Sequence, residues 1–293
     1  MATLSTRLTS TGTYLVNGSF DEITQATVRV TTNTVYASSL DEITLPKGSS
    51  SPAVRQTNTG EIQVSTQFDE FTGAPIVDSN LILWVDAAQP NSYPGTGSTW
   101  NDLAGANHNF TLGAGVAFTQ NLGGAMVISA AGNLPSPISN ITITGSHTVS
   151  VWVNPTIQDT AIRRYLTINT TLDGIVIRND GAVGAGNGQL HYYIDIGGIS
   201  RSVRVNTQVV AGQIANFVGT WDGTIMRLYK NGQQVGTFSV SGTLGTIANS
   251  NYRISSATEG MLGDFYQAMV YDRALSADEV QQNFNALRRR YGI

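Results

Sequence analysis

Gly263-Asp264-Phe265-Tyr266-Gln267-Ala268-Met269-Val270-Tyr271-Asp272-Arg273-Ala274-Leu275-Ser276-Ala277-Asp278-Glu279-Val280 reads as a buried strand, a turn and the start of a capped helix. Ser276 has the character of an N-cap, and Glu279, three residues on, completes a capping box. Val280, Phe284, Leu287 and Tyr291 follow at i, i+4, i+7 and i+11, which predicts one apolar stripe packed against the body. The basic run Arg288-Arg289-Arg290 then complements the C-terminal end of the helix dipole.

Working back from that segment, the chain supplies more strands of the same kind. Thr148–Asn154 alternates, with Val149, Val151 and Val153 on one face, and Pro155 stops it. Leu190–Ile196 and Ser202–Val205 are two further strands. Asn231-Gly232 stands between Met226–Lys230 and Gln233–Val235, which predicts a two-residue type I′ hairpin because both central positions need positive φ. That hairpin is expected to pair Leu228 with Val235. Upstream, Leu81–Asp86 begins a buried strand, and Tyr93 to Gly105 forms a loop with two aromatic anchors, Tyr93 and Trp100.

These stretches carry a family resemblance. GDFYQAMVYDRALSADEV resembles the closing signature of laminin-G-like, concanavalin A-like domains, whose last strand ends in a Tyr-Asn/Asp-Arg-Ala-Leu-Ser turn. Asn216–Thr224 resembles the family's Thr-Trp-Asp-Gly strand and turn. Leu83-Trp84-Val85-Asp86-Ala87 and Trp100-Asn101-Asp102-Leu103-Ala104-Gly105 resemble the opening of such domains in virion proteins of tailed phages, with Ala104 where Ser is usual. The resemblance covers about 80–293. It implies an all-β fold: a jelly-roll β-sandwich over 79–293, preceded by a small β-repeat arm over 1–78.

Composition agrees with many short strands and tight turns. Charged residues are only 12% of 293, and Gly, Ser, Thr and Asn abound. Cysteine is absent, so there is no disulfide and no thiolate chemistry. Met1–Arg7 lacks the apolar core of a signal peptide, and no run approaches transmembrane length, so a soluble product without membrane insertion is expected. The net charge of −4 sits in residues 1–78, which hold four basic and eight acidic residues, while the rest holds twelve of each. A neutral body with an acidic arm argues against nucleic acid as a partner.

The arm contains a repeat. Arg7–Thr24 aligns without gaps to Arg55–Thr72, sharing Arg, Thr, Thr-Gly, Val and Phe-Asp-Glu with its following Thr. Both units read strand, turn, strand, with alternations such as Tyr14/Val16 and Ile62/Val64. A degenerate third copy ends in Leu40-Asp41-Glu42-Ile43-Thr44. Such units cannot bury a face alone and must stack on one another or on a partner. The endings Phe20-Asp21-Glu22, Leu40-Asp41-Glu42 and Phe68-Asp69-Glu70 are therefore the candidate anchoring positions. Adjacent Asp and Glu on a strand point to opposite faces, so no pair chelates by itself.

No catalytic constellation is legible. The glucanases of this fold place carboxylates as Glu-x-Asp-x-x-Glu, a spacing this chain lacks, and the body has only Glu259 and Glu279. His108, His147 and His191 lie far apart in sequence, outside any metal-ligand spacing. The Gly-rich stretch 181–188 precedes no helix and reads as a turn between strands. The family resemblance implies Ca²⁺ as a cofactor option, with Asp86, Asp222 and Asp264 as ligands by type, although nothing in the sequence brings them together. Trp100 and Tyr93 are candidates to stack on a sugar ring, with burial as loop anchors the alternative.

A non-enzymatic reading follows. The chain is expected to be a virion structural protein of a tailed phage, on capsid or tail, assembled in the host cytoplasm. Its arm would contact other virion proteins and a homo-oligomer, a trimer among the options, would bury the arm's strands. The alternative is a carbohydrate-binding lectin module contacting host-surface glycans.

Overall fold

In the first 75 residues, the computed structural model describes seven short strands. Beyond them it describes residues 76–129, 136–137, 140–143, 145–157, 161–168, 175–180, 188–245, 247–250, 252–255 and 259–293. The chain divides into two compact units, Met1–Gly73 and Ala74–Ile293.

The first unit contains β1 (Ser5–Leu8), β2 (Thr13–Asn17), β3 (Arg29–Thr31), β4 (Thr34–Ala37), β5 (Ile43–Thr44), β6 (Ala53–Gln56) and β7 (Ile62–Ser65). They form two antiparallel sheets, ordered β1-β2-β5 and β3-β4-β7-β6. The sequence repeat is visible as backbone register. Arg7 faces Leu15 in the first hairpin, and Arg55 faces Gln63 in the second, the same positions of the two copies. The anchoring positions Phe20, Asp21, Glu22, Leu40, Asp41, Glu42, Phe68, Asp69 and Glu70 lie outside the described residues.

The second unit is a jelly-roll sandwich. Its strands are β8 (Leu81–Asp86), β9 (Thr99–Trp100), β10 (Phe110–Thr111), β11 (Val116–Thr119), β12 (Ala125–Ile128), β13 (Ser136–Pro137), β14 (Ile141–Ile143), β15 (His147–Pro155), β16 (Ile162–Ile168) and β17 (Ile175–Asp180). They continue with β18 (Gly188–Ile196), β19 (Ile199–Val209), β20 (Ala215–Trp221), β21 (Ile225–Lys230), β22 (Gln233–Ser239), β23 (Ile247–Ser250), β24 (Tyr252–Ile254) and β25 (Gly263–Tyr271). The large sheet runs β11-β12-β25-β15-β20-β21-β22, with β8 also pairing β25. The small sheet runs β19-β18-β17-β16-β24.

Val149, Val151 and Val153 all point into the core between the sheets, as their alternation predicts. Leu83, Val85, Phe217, Leu228, Phe265 and Ala268 meet them there from the same sheet. The facing sheet contributes Tyr165, Leu166, Ile177, Leu190, Tyr192 and Ile194. The large sheet is also covered on its other face. Trp152, Val218, Tyr229, Tyr266, Met269 and Tyr271 form a second core with Val280, Phe284, Leu287 and Tyr291. This explains why β15 and β25 are buried at nearly every position rather than at every second one.

The covering element is α1 (Ala277–Leu287), extended by a 3₁₀ turn over Arg288–Tyr291. Its start is the expected capping box: Ser276 Oγ accepts from the Glu279 N–H, and the Glu279 carboxylate accepts from the Ser276 N–H. Arg273 grips the same carboxylate with both terminal nitrogens, at 2.7 and 2.8 Å. That guanidinium, aided by the Ser276 hydrogen bonds and opposed by partial burial, lowers the Glu279 pKa to about 2. Ile76 and Val77 pack against this second core too, and the Val77 N–H donates to Asn283 Oδ1 at 2.7 Å.

The hairpin at Asn231-Gly232 forms as expected, with φ of 51° and 78° at its two central residues. Its register does not match the expectation. Leu228 faces Gly236 rather than Val235, because the ladder shifts between Leu228 and Tyr229, and Tyr229 then faces Gln234. One extra residue on β22 makes a bulge at Val235. No helix among the described residues is long and apolar enough to cross a membrane.

Candidate functional site

The small sheet turns one face to the core and the other outward. On β18, Leu190, Tyr192 and Ile194 enter the core, so Gln189, His191 and Tyr193 lie on the outer face. Antiparallel register then sets these residues in rows across the sheet. Arg164, Arg178, His191 and Arg204 stand opposite one another on β16, β17, β18 and β19. Thr167, Val176, Tyr193 and Ser202 form the adjacent row.

The β16–β17 side of this face is covered: Val176 and Arg164 are buried, and Arg164 Nε donates to the Glu259 carboxylate at 2.6 Å. Along β18 and β19 the face opens. Gln189, Tyr193 and Ser202 are half-buried, while Arg204 and Asn206 are exposed. The polar groups of this strip are tied together. His191, fully buried beneath the strip, lies with Nε2 2.5 Å from Gln189 Oε1. The Gln189 amide nitrogen in turn donates to Asn206 Oδ1 at 2.5 Å. An amide oxygen only accepts, so this orientation makes His191 Nε2 the donor, and the series ends on Asn206 at the exposed side.

Three further contacts hold the strip. The Tyr193 hydroxyl donates to Ser200 Oγ. Arg204, an exposed residue, donates from Nε to Ser202 Oγ at 3.0 Å. The Arg178 guanidinium lies over the Tyr193 ring, 5.6 Å from its centroid, a cation–π contact that ties β17 to β18 on this face. Planar donors and acceptors fixed before a ligand arrives are what polyhydroxy ligands select for, because binding then costs little side-chain entropy.

β19 also leads into a concavity. Gln208, on the same strand, lines a cleft of about 390 Å³ together with Gln213, Lys230, Asn231, Tyr291 and Ile293. Burial lowers the Lys230 pKa. From Arg204 to Gln208 a strand advances about 13 Å, so strip and cleft are contiguous on one strand.

The residues expected from sequence lie elsewhere and apart. Trp100 is fully buried and Tyr93 is 6% exposed, both in the inter-sheet core. Trp100 packs edge-on against Phe265, and Tyr93 donates its hydroxyl to the Gly97 carbonyl. A ring without a free face offers no platform to a sugar, so these two are loop anchors.

The three aspartates are each engaged by protein donors. Asp86 is fully buried and takes Arg290 Nη1 on both carboxylate oxygens at 2.8 Å. Asp222 accepts from the N–H groups of Thr224 and Ile225 and from Arg227. Those hydrogen bonds outweigh partial burial and hold its carboxyl below the usual carboxylate range. Asp264 accepts from Asn154 Nδ2 and the Tyr266 hydroxyl. Among the described residues no group of three or more His, Asp or Glu could hold a metal ion. These donor sets do not fit a Ca²⁺ site. Arg290 also departs from its expected part, since it reaches Asp86 instead of merely ending a helix.

The histidines divide similarly. His147 is an internal strut, and His108 stacks edge-on against Tyr252. The strip residues Gln189, His191, Tyr193 and Arg204 were not singled out from sequence as a site. Their only local signal is a polar residue at every second position of two neighbouring strands.

The family profile described as "Concanavalin A-like lectin/glucanases superfamily" (Laminin_G_3) matches residues 129–281. No curated protein matches the chain in sequence. Among solved structures, the binding domain of Paraclostridial Mosquitocidal Protein 1 is similar at a TM-score of 0.53 and 17% identity, covering 75% of this chain and 53% of that one. Domain 4 of AbnA, a GH43 extracellular arabinanase from Geobacillus stearothermophilus in complex with arabinotriose, gives 0.52 and 16%, covering 71% and 98%. The binding domain of Botulinum Neurotoxin DC in complex with SialylT gives 0.54 and 13%, covering 72% and 52%. The chain thus spans about half the length of the two toxin binding domains. At these identities the likeness is one of fold.

Proposed function

We propose that this chain, which belongs to the concanavalin A-like lectin/glucanase superfamily, is a carbohydrate-binding module that holds its glycan on the outer strip of β18 and β19. The observation that carries this reading is the hydrogen-bonded series His191–Gln189–Asn206 beside Arg204 and the Arg178–Tyr193 pair. Two fold relatives are complexes with arabinotriose and with SialylT, which supports a saccharide as ligand class. The chain binds without cleaving, since its sequence lacks the Glu-x-Asp-x-x-Glu spacing of the glucanases.

The test is a broad glycan array probed with the full chain, followed by titration of any hit. Saturable binding that Asn206→Ala and Gln189→Ala weaken supports the strip. A flat array, or binding indifferent to both substitutions, sinks it.

A finer reading places the module on a tailed-phage particle, with residues 1–78 contacting other virion proteins in a homo-oligomer. The repeated hairpin register of β1–β2 and β6–β7 favours it, because short repeated hairpins need neighbours to bury their faces. So does the resemblance of the Leu83–Ala87 and Trp100–Gly105 segments to phage-borne domains. Mass spectrometry of purified particles checks it: the chain should be found at fixed stoichiometry, and its absence from particles ends this reading.

A further inference from the structure

We infer that the cleft beside Lys230 is a second binding site, which takes a small monocarboxylate bearing hydroxyl groups, a sugar acid in chemical class. The observation is a cation without a counter-charge in a concavity. Lys230 is half-buried and makes no hydrogen bond or ion pair among the described residues. Burial lowers its pKa, and no carboxylate acts against that. Elsewhere in this unit Arg164, Arg227, Arg273 and Arg290 each hold a carboxylate. A partly desolvated charge is unfavourable until a counter-ion reaches it, so the cleft favours an anion.

The walls are fixed before a ligand enters. Lys230 stands in register with Phe217 of β20 and Gln233 of β22. The β19–β20 turn is pinned where the Gly212 N–H donates to the Pro155 carbonyl at 2.7 Å, with Gly212 at a φ of 77°. Asn231 Oδ1 accepts from the Asn216 N–H at 2.9 Å, and its NH₂ makes no bond among the described residues. The amides of Gln208 and Gln213, which also line the cleft, are likewise uncommitted there. Such preorganised walls lower the entropic cost of binding.

Size and charge narrow the ligand. A cleft of about 390 Å³ is of small-molecule size. Lys230 is the only charged side chain lining it, a compact point charge that one carboxylate balances. A phosphate ester would bring a second charge with no partner in the cleft. The three amides suit hydroxyl groups on the rest of the ligand.

The experiment uses the full chain with three probes, glucuronate, glucose and glucose 6-phosphate, titrated by calorimetry. Glucuronate should bind most tightly, and Lys230→Gln should weaken it at least about tenfold, the loss of one charge-assisted hydrogen bond. Lys230→Arg should retain part of the affinity. Arg253→Gln, which removes an exposed charge on β24, should leave it intact. Lys47 and Lys230 are the only lysines, so acetylation read by mass spectrometry gives a second measurement on the unaltered chain. Glucuronate should protect Lys230 and leave Lys47 reactive, which decides the matter if Lys230→Gln fails to fold. Equal binding of glucose, tighter binding of glucose 6-phosphate, or no binding of glucuronate overturns the inference. So does full affinity in Lys230→Gln, an equal loss in Arg253→Gln, or equal protection of both lysines. The strip is read separately, through the Asn206 and Gln189 variants.

Discussion

Tyr192 of the small sheet donates its hydroxyl to His147 Nε2 of the large sheet, 2.6 Å away and sealed from solvent. His147 Nδ1 lies 2.9 Å from the Gly145 carbonyl, which only accepts, so the proton sits on Nδ1 and Nε2 is free to receive the tyrosine. The two sheets are thus joined across the core by an oriented hydrogen bond. Burial, only partly opposed by the Gly145 contact, lowers the His147 pKa to about 4.

That strut makes stability depend on pH. The folded state favours neutral His147, so its contribution is complete above the unfolded pKa of about 6.5 and is lost as pH falls toward about 4. The shift corresponds to roughly 3 kcal/mol over that window. Urea midpoints should fall between pH 7 and 4.5, and His147→Gln should flatten much of that slope. His108, also lowered mainly by burial, accounts for a smaller remainder. An unchanged slope in the variant would remove His147 as the cause.

The same tyrosine dictates a glycine. A Cβ on Gly219, in the middle of β20, would sit 2.4 Å from Tyr192 Cδ2. Both residues are held in sheets, so neither can retreat cheaply. Gly219→Ala should cost about 1–3 kcal/mol in chemical denaturation, as overpacking does. Wild-type stability in this variant would mean that the sheets can move apart locally.

The C-terminal segment is fastened by Arg290 on Asp86, whose carboxylate is fully buried. Asp86 also receives Gln267 Nε2 at 3.3 Å and the Ala88 N–H. Arg290→Met should destabilise by roughly 3–5 kcal/mol because it strands a buried carboxylate. Adding Asp86→Asn should recover part of that loss. A double variant no more stable than Arg290→Met would argue that the charge left behind is not the main cost.

Phe284 stacks on Trp152 with ring centroids 5.6 Å apart and planes 3° from parallel, and Tyr291 lies 4.4 Å from the same indole. Phe284→Ala should cost about 3–5 kcal/mol. It should also change Trp152 fluorescence before global unfolding, since α1 loses its main hold on the large sheet. Coincident transitions with unchanged stability would show that Leu287 and Tyr291 suffice.

Local chemistry was legible in the sequence wherever a signal is complete within a few residues. Asn231-Gly232 needs two positive φ values and has them, and Ser276 with Glu279 closes its box within one turn. The valines of β15 and the stripe of α1 follow from periods of two and 3.6 residues, which single out a buried face but not what buries it. Tertiary structure decided the rest. A bulge moved the partner of Leu228 from Val235 to Gly236, which alternation alone cannot foresee. Trp100 and Tyr93 could serve as platforms or anchors until the core closed over them. Asp86 met a guanidinium 204 positions away, outside any spacing rule. The strip exists only as cross-strand register: Arg178, His191 and Arg204 are unremarkable in sequence. They become one row because strand pairing, fixed by burying Leu190, Tyr192 and Ile194 on the opposite face, sets them side by side.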